Sequence, residues 1–232
     1  MSDEEVVSCP ECERPVTLCV CAHVTPVENR TELLVLQHPQ EPGMEIGTVP
    51  ILARQFTRTV VKTGLSWPNL KKALGREVDP KRWGVLYMGS VHVEKLPVEG
   101  ALFAVDKKGA VLQDQRKLLS ALQGVVLIDG TWSQAKALWW RNAWLLKLQR
   151  LVLNAQMKSQ YDRIRREPRA GCLSTLESAA VTLSVLERKP ELVEHAAQPL
   201  ARLVEAARAL PRPVRSARKP DRRRRPFRRA RS

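Results

Sequence analysis

Apolar residues fall in short dense runs between polar turns, and the lengths of those runs predict strands alternating with helices. Residues 31–36 (TELLVL) read as a strand that ends in the turn-forming QHPQEPG. Residues 48–56 follow as a helix, with Pro50 tolerable only in its first turn. A short strand is expected at 57–62. The runs 85–88 (VLYM, before Gly89) and 125–129 (VVLID) read as buried strands. Between them LFAVDKKGAVL predicts a β-hairpin turning at DKKG. A helix is expected from Ser133 to about Leu146, a strand at 150–153, and helices at 174–187 and 191–209 parted by Pro190. This alternation predicts an α/β domain on a mainly parallel sheet, and no internal repeat interrupts it.

Length and charge divide the chain. Its 232 residues allow one sizeable domain with a small appendage. The expected division is a cysteine module at 1–27, a main domain at 28–210 and a tail at 211–232. The net charge is +15, but residues 211–232 carry 11 basic residues and 1 acidic one, leaving only +5 for residues 1–210. Like charges at that density repel and build no core, so the tail is expected to be disordered when free. Such a polycation suits phosphate backbones in a salt-sensitive, sequence-indifferent way. An acidic membrane surface attracts the same composition, and a purely solubilising extension has it too. No apolar run approaches the roughly 18 residues of a membrane span. The start, MSDEEVVSCPEC, lacks the layout of a secretory signal, so the expected location is cytosolic.

Four of the five cysteines, Cys9, Cys12, Cys19 and Cys21, form a C-x2-C-x6-C-x-C cluster. Without an export signal such a cluster argues for metal rather than disulfides. Four thiolates on short loops stiffened by Pro10 and Pro15 suit a closed, structural zinc site, against a reading as free thiols or a redox pair. Cys172 stands alone and reads as a small core residue.

Three further segments carry polar groups in telling places. In VVLIDGTWSQAKAL, Asp129 ends a buried strand, Gly130 permits a sharp bend, and Thr131 or Ser133 can cap the next helix. A carboxylate there faces the crevice where α/β proteins bind ligands, although plain helix capping by Asp129 with Trp132 in the core fits the pattern as well. In KSQYDRIRREPRAGCLSTLES, five basic residues (Lys158, Arg163, Arg165, Arg166 and Arg169) precede Ser174 and Glu177, spaced as a capping box. That helix start can hold an anion, or do no more than cap. On the helix after Asp129, Lys136, Trp140, Trp144 and Lys147 share one stripe, opposite Ala135, Leu138, Trp139 and Leu145. Such a stripe can stack unpaired bases or pack against a neighbour.

Taken in order, CPECERPVTLCVC with Arg14 and Pro15, LQHPQE at 36–41, IDGTW at 128–132 and SQYDRIRREPRAGCLSTLES resemble the DTW-domain family of tRNA-uridine aminocarboxypropyltransferases. The likeness spans residues 9 to about 190; the arginine tail and Ser178 depart from the usual pattern. The resemblance implies a SPOUT-like α/β fold whose C-terminal knot forms an S-adenosylmethionine pocket. It implies attack by a uridine ring nitrogen of tRNA on the carbon gamma to the donor's carboxylate, releasing methylthioadenosine. It further implies Asp129 as general base, aided if burial raises its pKa, with Gly89, Thr131, Trp132, Leu173, Ser174 and Thr175 lining the cofactor and substrate sites. Methyl transfer from the same donor in a related fold, or a non-catalytic zinc-containing RNA-binding role, are the competing functions. The oligomeric state is unreadable from the sequence.

Overall fold

The computed structural model of the chain describes residues 7–86, 96–97, 99–154, 159–161 and 173–210. They form a six-stranded sheet with helices on both faces. In chain order the elements are β1 (Glu32–Gln37), α1 (Val49–Gln55), β2 (Thr59–Thr63), α2 (Leu70–Leu74), β3 (Trp83–Leu86), β4 (Leu102–Val105), α3 (Gln115–Ser120), β5 (Gly124–Asp129), α4 (Trp132–Arg141), β6 (Gln149–Leu153), α5 (Thr175–Glu187) and α6 (Glu191–Ala209). The spatial order is β2-β1-β5-β3-β6-β4. Neighbours are parallel except β4, which runs antiparallel to β6 at the edge. The expected mainly parallel α/β architecture is what the chain adopts.

Side-chain alternation decides which layer each residue joins. Leu33 and Val35 of β1, Val125 and Leu127 of β5, and Leu151 and Leu153 of β6 point to one face, packed with α1, α5 and α6. Leu34, Leu36 and Val126 point to the other, where Trp83, Leu70, Trp139, Trp144 and Leu145 cover them. All six residues of β1 are buried, which explains its nearly unbroken apolar run. The cysteine segment shares the first core. Leu18, in the 3₁₀ turn Val16–Leu18, and Val20, just before the turn Cys21–His23, are buried in the cluster that holds α5 and α6.

Three expectations change on contact with the structure. The hairpin in LFAVDKKGAVL closes its turn, with the Asp106 N–H donating to the Ala110 carbonyl at 2.9 Å, but its second arm is short: it makes the bridge Val105–Val111, and the Leu112 N–H donates to the Ala104 carbonyl at 3.0 Å. The Gln115 side chain extends that pairing. It accepts from the Ala104 N–H at 2.7 Å and donates to the Ala104 carbonyl at 2.8 Å. The helix expected to run from Ser133 to Leu146 stops at Arg141, and a 3₁₀ turn, Ala143–Lys147, follows. Asn142 breaks it: Nδ2 donates to the Leu138 carbonyl at 2.8 Å, while Oδ1 accepts from Trp67 N–H at 2.8 Å and from Trp144 Nε1 at 3.3 Å. Trp144 is therefore buried rather than aligned with Trp140, which is 73% exposed. The segments holding Gly89, Lys158, Arg163, Arg165, Arg166, Arg169, Cys172 and the tail lie outside the described residues, as does part of the chain on which a knot would depend.

Candidate functional site

The carboxyl ends of β1 and β5 meet at a register pair, Gln37 beside Asp129. Asp129 is 5% exposed, and both carboxylate oxygens are engaged. Oδ2 accepts from Gln37 Nε2 at 3.1 Å, and Oδ1 accepts from the Thr175 hydroxyl at 2.6 Å. Gln37 is itself steadied by the Thr63 hydroxyl, which donates to its Oε1 at 3.2 Å. The result is a polar chain, Thr63–Gln37–Asp129–Thr175, across the ends of three elements and the start of α5. A carboxylate oxygen has two acceptor sites, so each Asp129 oxygen keeps capacity for a further donor. Directly after it the backbone bends through Gly130 at φ 151, where a side chain would be strained and its Cβ would meet Gln134 Cβ at 2.9 Å.

Two helix starts frame this carboxylate. Thr131 and Gln134 form a capping box at α4: Gln134 Oε1 accepts from the Thr131 N–H at 2.5 Å and Thr131 Oγ1 accepts from the Gln134 N–H at 3.4 Å. Gln134 Nε2 also donates to Gln40 Oε1 at 3.1 Å, which ties the LQHPQE segment to the same corner. Ser174 and Glu177 form the second box, at α5. Buried Glu177 gathers three donors, Ser174 N–H at 2.7 Å, Ser159 Oγ at 2.9 Å and Gln160 N–H at 2.7 Å. Thr48 Oγ1 accepts from Leu176 N–H at 3.4 Å, and the Tyr161 hydroxyl donates to the Ile46 carbonyl at 2.5 Å, so the loop before α1 closes against the same helix start.

The four clustered cysteines lie with their sulfurs within 4.8 Å of one another. Cys9 and Cys21 are 4.0 Å apart and Cys12 and Cys19 are 3.9 Å apart, too long for S–S bonds of about 2.05 Å but close to the ~3.8 Å edge of a thiolate tetrahedron around a zinc-sized ion. They can hold a metal ion. Backbone N–H groups of Glu11 and Cys12, with the Cys19 side chain, draw the Cys9 thiol down from 9.0 to about 6. Burial, then the neighbouring thiols, push Cys21 up. Beside them the buried Arg14 guanidinium donates through Nη2 to the Gly47 carbonyl, while Nε and Nη1 have no hydrogen-bond partner among the described residues. Burial disfavours that cation, and the cysteines' negative charge opposes the effect. Four thiolates around a divalent ion carry a net charge of about −2, so a metal-loaded cluster would compensate the buried Arg14.

Sequence reasoning named Asp129, Thr131, Trp132, Leu173, Ser174 and Thr175, and the fold brings these to one corner of the sheet. Trp132, Leu173 and Thr175 are half-buried, Ser174 is buried and Thr131 is exposed. Gly89 lies outside the described residues. What the reading missed is the polar support. Gln37 and Thr63 are ordinary strand-end residues until strand register sets them beside Asp129. Gln134 was visible in sequence as the third residue after Thr131, the position a capping box fills.

A mainly parallel sheet with a buried carboxylate at the carboxyl ends of its strands, framed by two capped helices, places the protein among the open α/β folds, in which ligands bind on that edge. Residues 6–209 match the DTW domain, and the chain belongs to the DTW-domain family. It is 31% identical over 202 residues to tRNA-uridine aminocarboxypropyltransferase 2 of Mus musculus, covering 84% of this chain and 61% of that protein. It is 34% identical over 198 residues to the Drosophila melanogaster protein of the same name, covering 83% and 71%. With tRNA-uridine aminocarboxypropyltransferase A of Arabidopsis thaliana it shares 24% over 204 residues, covering 80% and 75%. The chain thus spans about three fifths of the mouse relative's length. No solved structure matches it.

Proposed function

We propose that this protein transfers the 3-amino-3-carboxypropyl group of S-adenosylmethionine to a ring nitrogen of a uridine in tRNA, releasing methylthioadenosine. The names of its relatives support the reading. The observation that carries it is the anchored Asp129: one carboxylate, removed from water and fixed from two sides by Gln37 and Thr175. The donor's sulfonium makes the adjacent carbon electrophilic. Asp129 takes the imide proton as the nitrogen forms its bond to carbon. A base held within hydrogen-bond reach of its proton and unable to swing contributes typically 10²–10⁴-fold. Gln37 and Thr175 supply that fixity. Thr131, Trp132, Leu173, Ser174 and Thr175, with Gly89, bind donor and nucleoside, and the identity of the transferred arm follows from which donor carbon faces Asp129. Zinc in the Cys9, Cys12, Cys19 and Cys21 cluster is structural, since four protein thiolates leave no open position. The SPOUT-like knot belongs to this reading, and the arginine tail at 211–232 adds salt-sensitive contact with RNA, so its removal should weaken tRNA binding at low salt.

The test is direct. Unmodified tRNA is incubated with the protein and labelled donor, and nucleosides and small products are identified by mass spectrometry. Aminocarboxypropyl-uridine with methylthioadenosine is expected. S-adenosylhomocysteine would instead indicate methyl transfer, and no labelled product with intact tRNA binding would indicate a binding protein. Asp129→Ala should lower turnover at least about 100-fold with little change in tRNA affinity. Wild-type turnover in that variant would overturn the base assignment.

A further inference from the structure

The opposite edge of the sheet, where β1, β3 and β5 begin, holds a cavity of about 340 Å³ lined by Arg30, Arg58, Arg76 and Arg82 around Glu32, over Trp83. Four separate segments deliver the arginines: the loop before β1, the turn before β2, the residue after the Gly75 cap of α2 and the 3₁₀ turn before β3. Glu32 is the lone carboxylate in the lining and is 7% exposed. It pairs with Arg76 and lies 3.9 Å from Arg58. Four guanidiniums against one carboxylate leave the cavity at +3. Glu187 lies nearby but is committed to the Thr31 N–H at 2.8 Å and to Lys189 at 3.7 Å.

These side chains are set in place rather than adrift. Arg30 Nη2 donates to the Leu186 carbonyl at 3.2 Å, Arg58 Nη1 to the Arg30 carbonyl at 2.6 Å, and Arg82 Nε to the Ala121 carbonyl at 3.3 Å. Each guanidinium has five N–H donors, and these bonds use one or two of them, so most are left for a ligand. Held together, like charges repel, and an oxyanion arriving among them relieves that repulsion while accepting forked hydrogen bonds.

We infer that this cavity is a second RNA contact, binding backbone phosphate of the tRNA at the sheet edge remote from Asp129. The inference rests on the proposed function only in taking tRNA as the RNA that is bound. Register separates Glu32 from Gln37 along β1 by a strand of six residues, about 17 Å. One arm of RNA lying along the domain can reach both edges. The lining contains no glycine and no residue that starts an α-helix, the parts that usually wrap a free nucleotide's phosphates.

The experiment measures binding of unmodified tRNA over a salt series to the full-length protein, the double variant Arg58→Gln/Arg82→Gln, the single variant Arg82→Gln, and an Arg202→Gln surface control. The double variant should bind about tenfold more weakly at low salt, with a slope of log affinity against log salt shallower by about 1 to 2. Arg82→Gln, which leaves the pairing of Glu32 with Arg76 intact, should show about half that slope change, so loss of folding in the double variant does not decide the matter. Wild-type affinity and slope in a folded Arg82→Gln protein would overturn the inference. So would a thermal shift with inorganic phosphate that disappears in the variants while tRNA binding stays unchanged. A loss of slope in a protein that modifies no tRNA would sink the enzymatic reading and leave this site standing; normal transfer with an unchanged slope would do the reverse.

Discussion

Thr175 is the first residue of α5, directly after the Ser174 cap, and its hydroxyl fixes Asp129 at 2.6 Å. Removing that donor while keeping the volume should leave the helix but free the carboxylate on one side. Thr175→Val is expected to lower kcat about tenfold with KM for tRNA nearly unchanged, and Thr175→Ser to restore most of it, by steady-state kinetics. A kcat equal to wild type would show that the hydroxyl does not position the base. A second carboxylate speaks to stability alone. Asp106 Oδ1 accepts from Ala110 N–H at 2.9 Å and Lys108 N–H at 2.8 Å, and the Ala110 bond chiefly holds its carboxyl below the ordinary 3.8. A depressed folded value means stabilisation that is complete above about pH 3.8 and is lost as pH falls through the lower value. Urea midpoints of wild type and Asp106→Ala should therefore differ near neutrality and converge in acid. A gap that persists unchanged into acid would mean the carboxylate's charge is not its source.

Among the elements, what was legible followed burial. Residues 31–36, 125–129 and 150–153 announce strands because a doubly covered parallel sheet tolerates no polar face, and α6 announces itself by a helical apolar stripe ending in Pro-rich sequence. What stayed hidden depended on single side chains acting across the fold. Nothing in LFAVDKKGAVL reveals that Gln115 will bond the Ala104 backbone beside the second hairpin arm, and nothing marks Asn142 as a helix stop until Trp67 and Trp144 arrive to use it. Asp129 could be read from its place at a strand end, whereas its supports could not: Gln37 is 92 residues away. Packing between strands gives a sharper test. A Cβ on Gly124 would lie 2.5 Å from the ring of Trp83, which is itself buried. Gly124→Ala should cost about 1–3 kcal/mol in denaturant unfolding, and a cost near zero would show that Trp83 can move aside.

For the molecule as a whole, the cysteine cluster is joined to the sheet domain through more than chain continuity. Leu18 and Val20 are buried with α5 and α6, and Arg14 grips the Gly47 carbonyl two residues from Val49, where α1 begins. A metal ion held by the cluster would therefore stabilise the entire domain, and a chelator should lower its melting temperature; a loss of only ~2 kcal/mol would shift it by about 4–8 °C at this size. Thermal melts by circular dichroism with and without chelator decide the point. A main transition left in place, with a small separate one gained, would show that the segment unfolds alone. Among the described residues no helix is long and apolar enough to cross a membrane.

The wide spacing of the partners around Asp129 has a bearing on how the protein comes into being. Gln37 precedes it by 92 residues and Thr175 follows it by 46, so contacts of this kind close late and slowly. A ribosome that has released β1 and β5 has produced a sheet edge with its acid still loose. Only when the segment opening α5 leaves the exit tunnel does the second clasp arrive. The corner around Asp129 is thereby completed only when nearly all of the domain has been made.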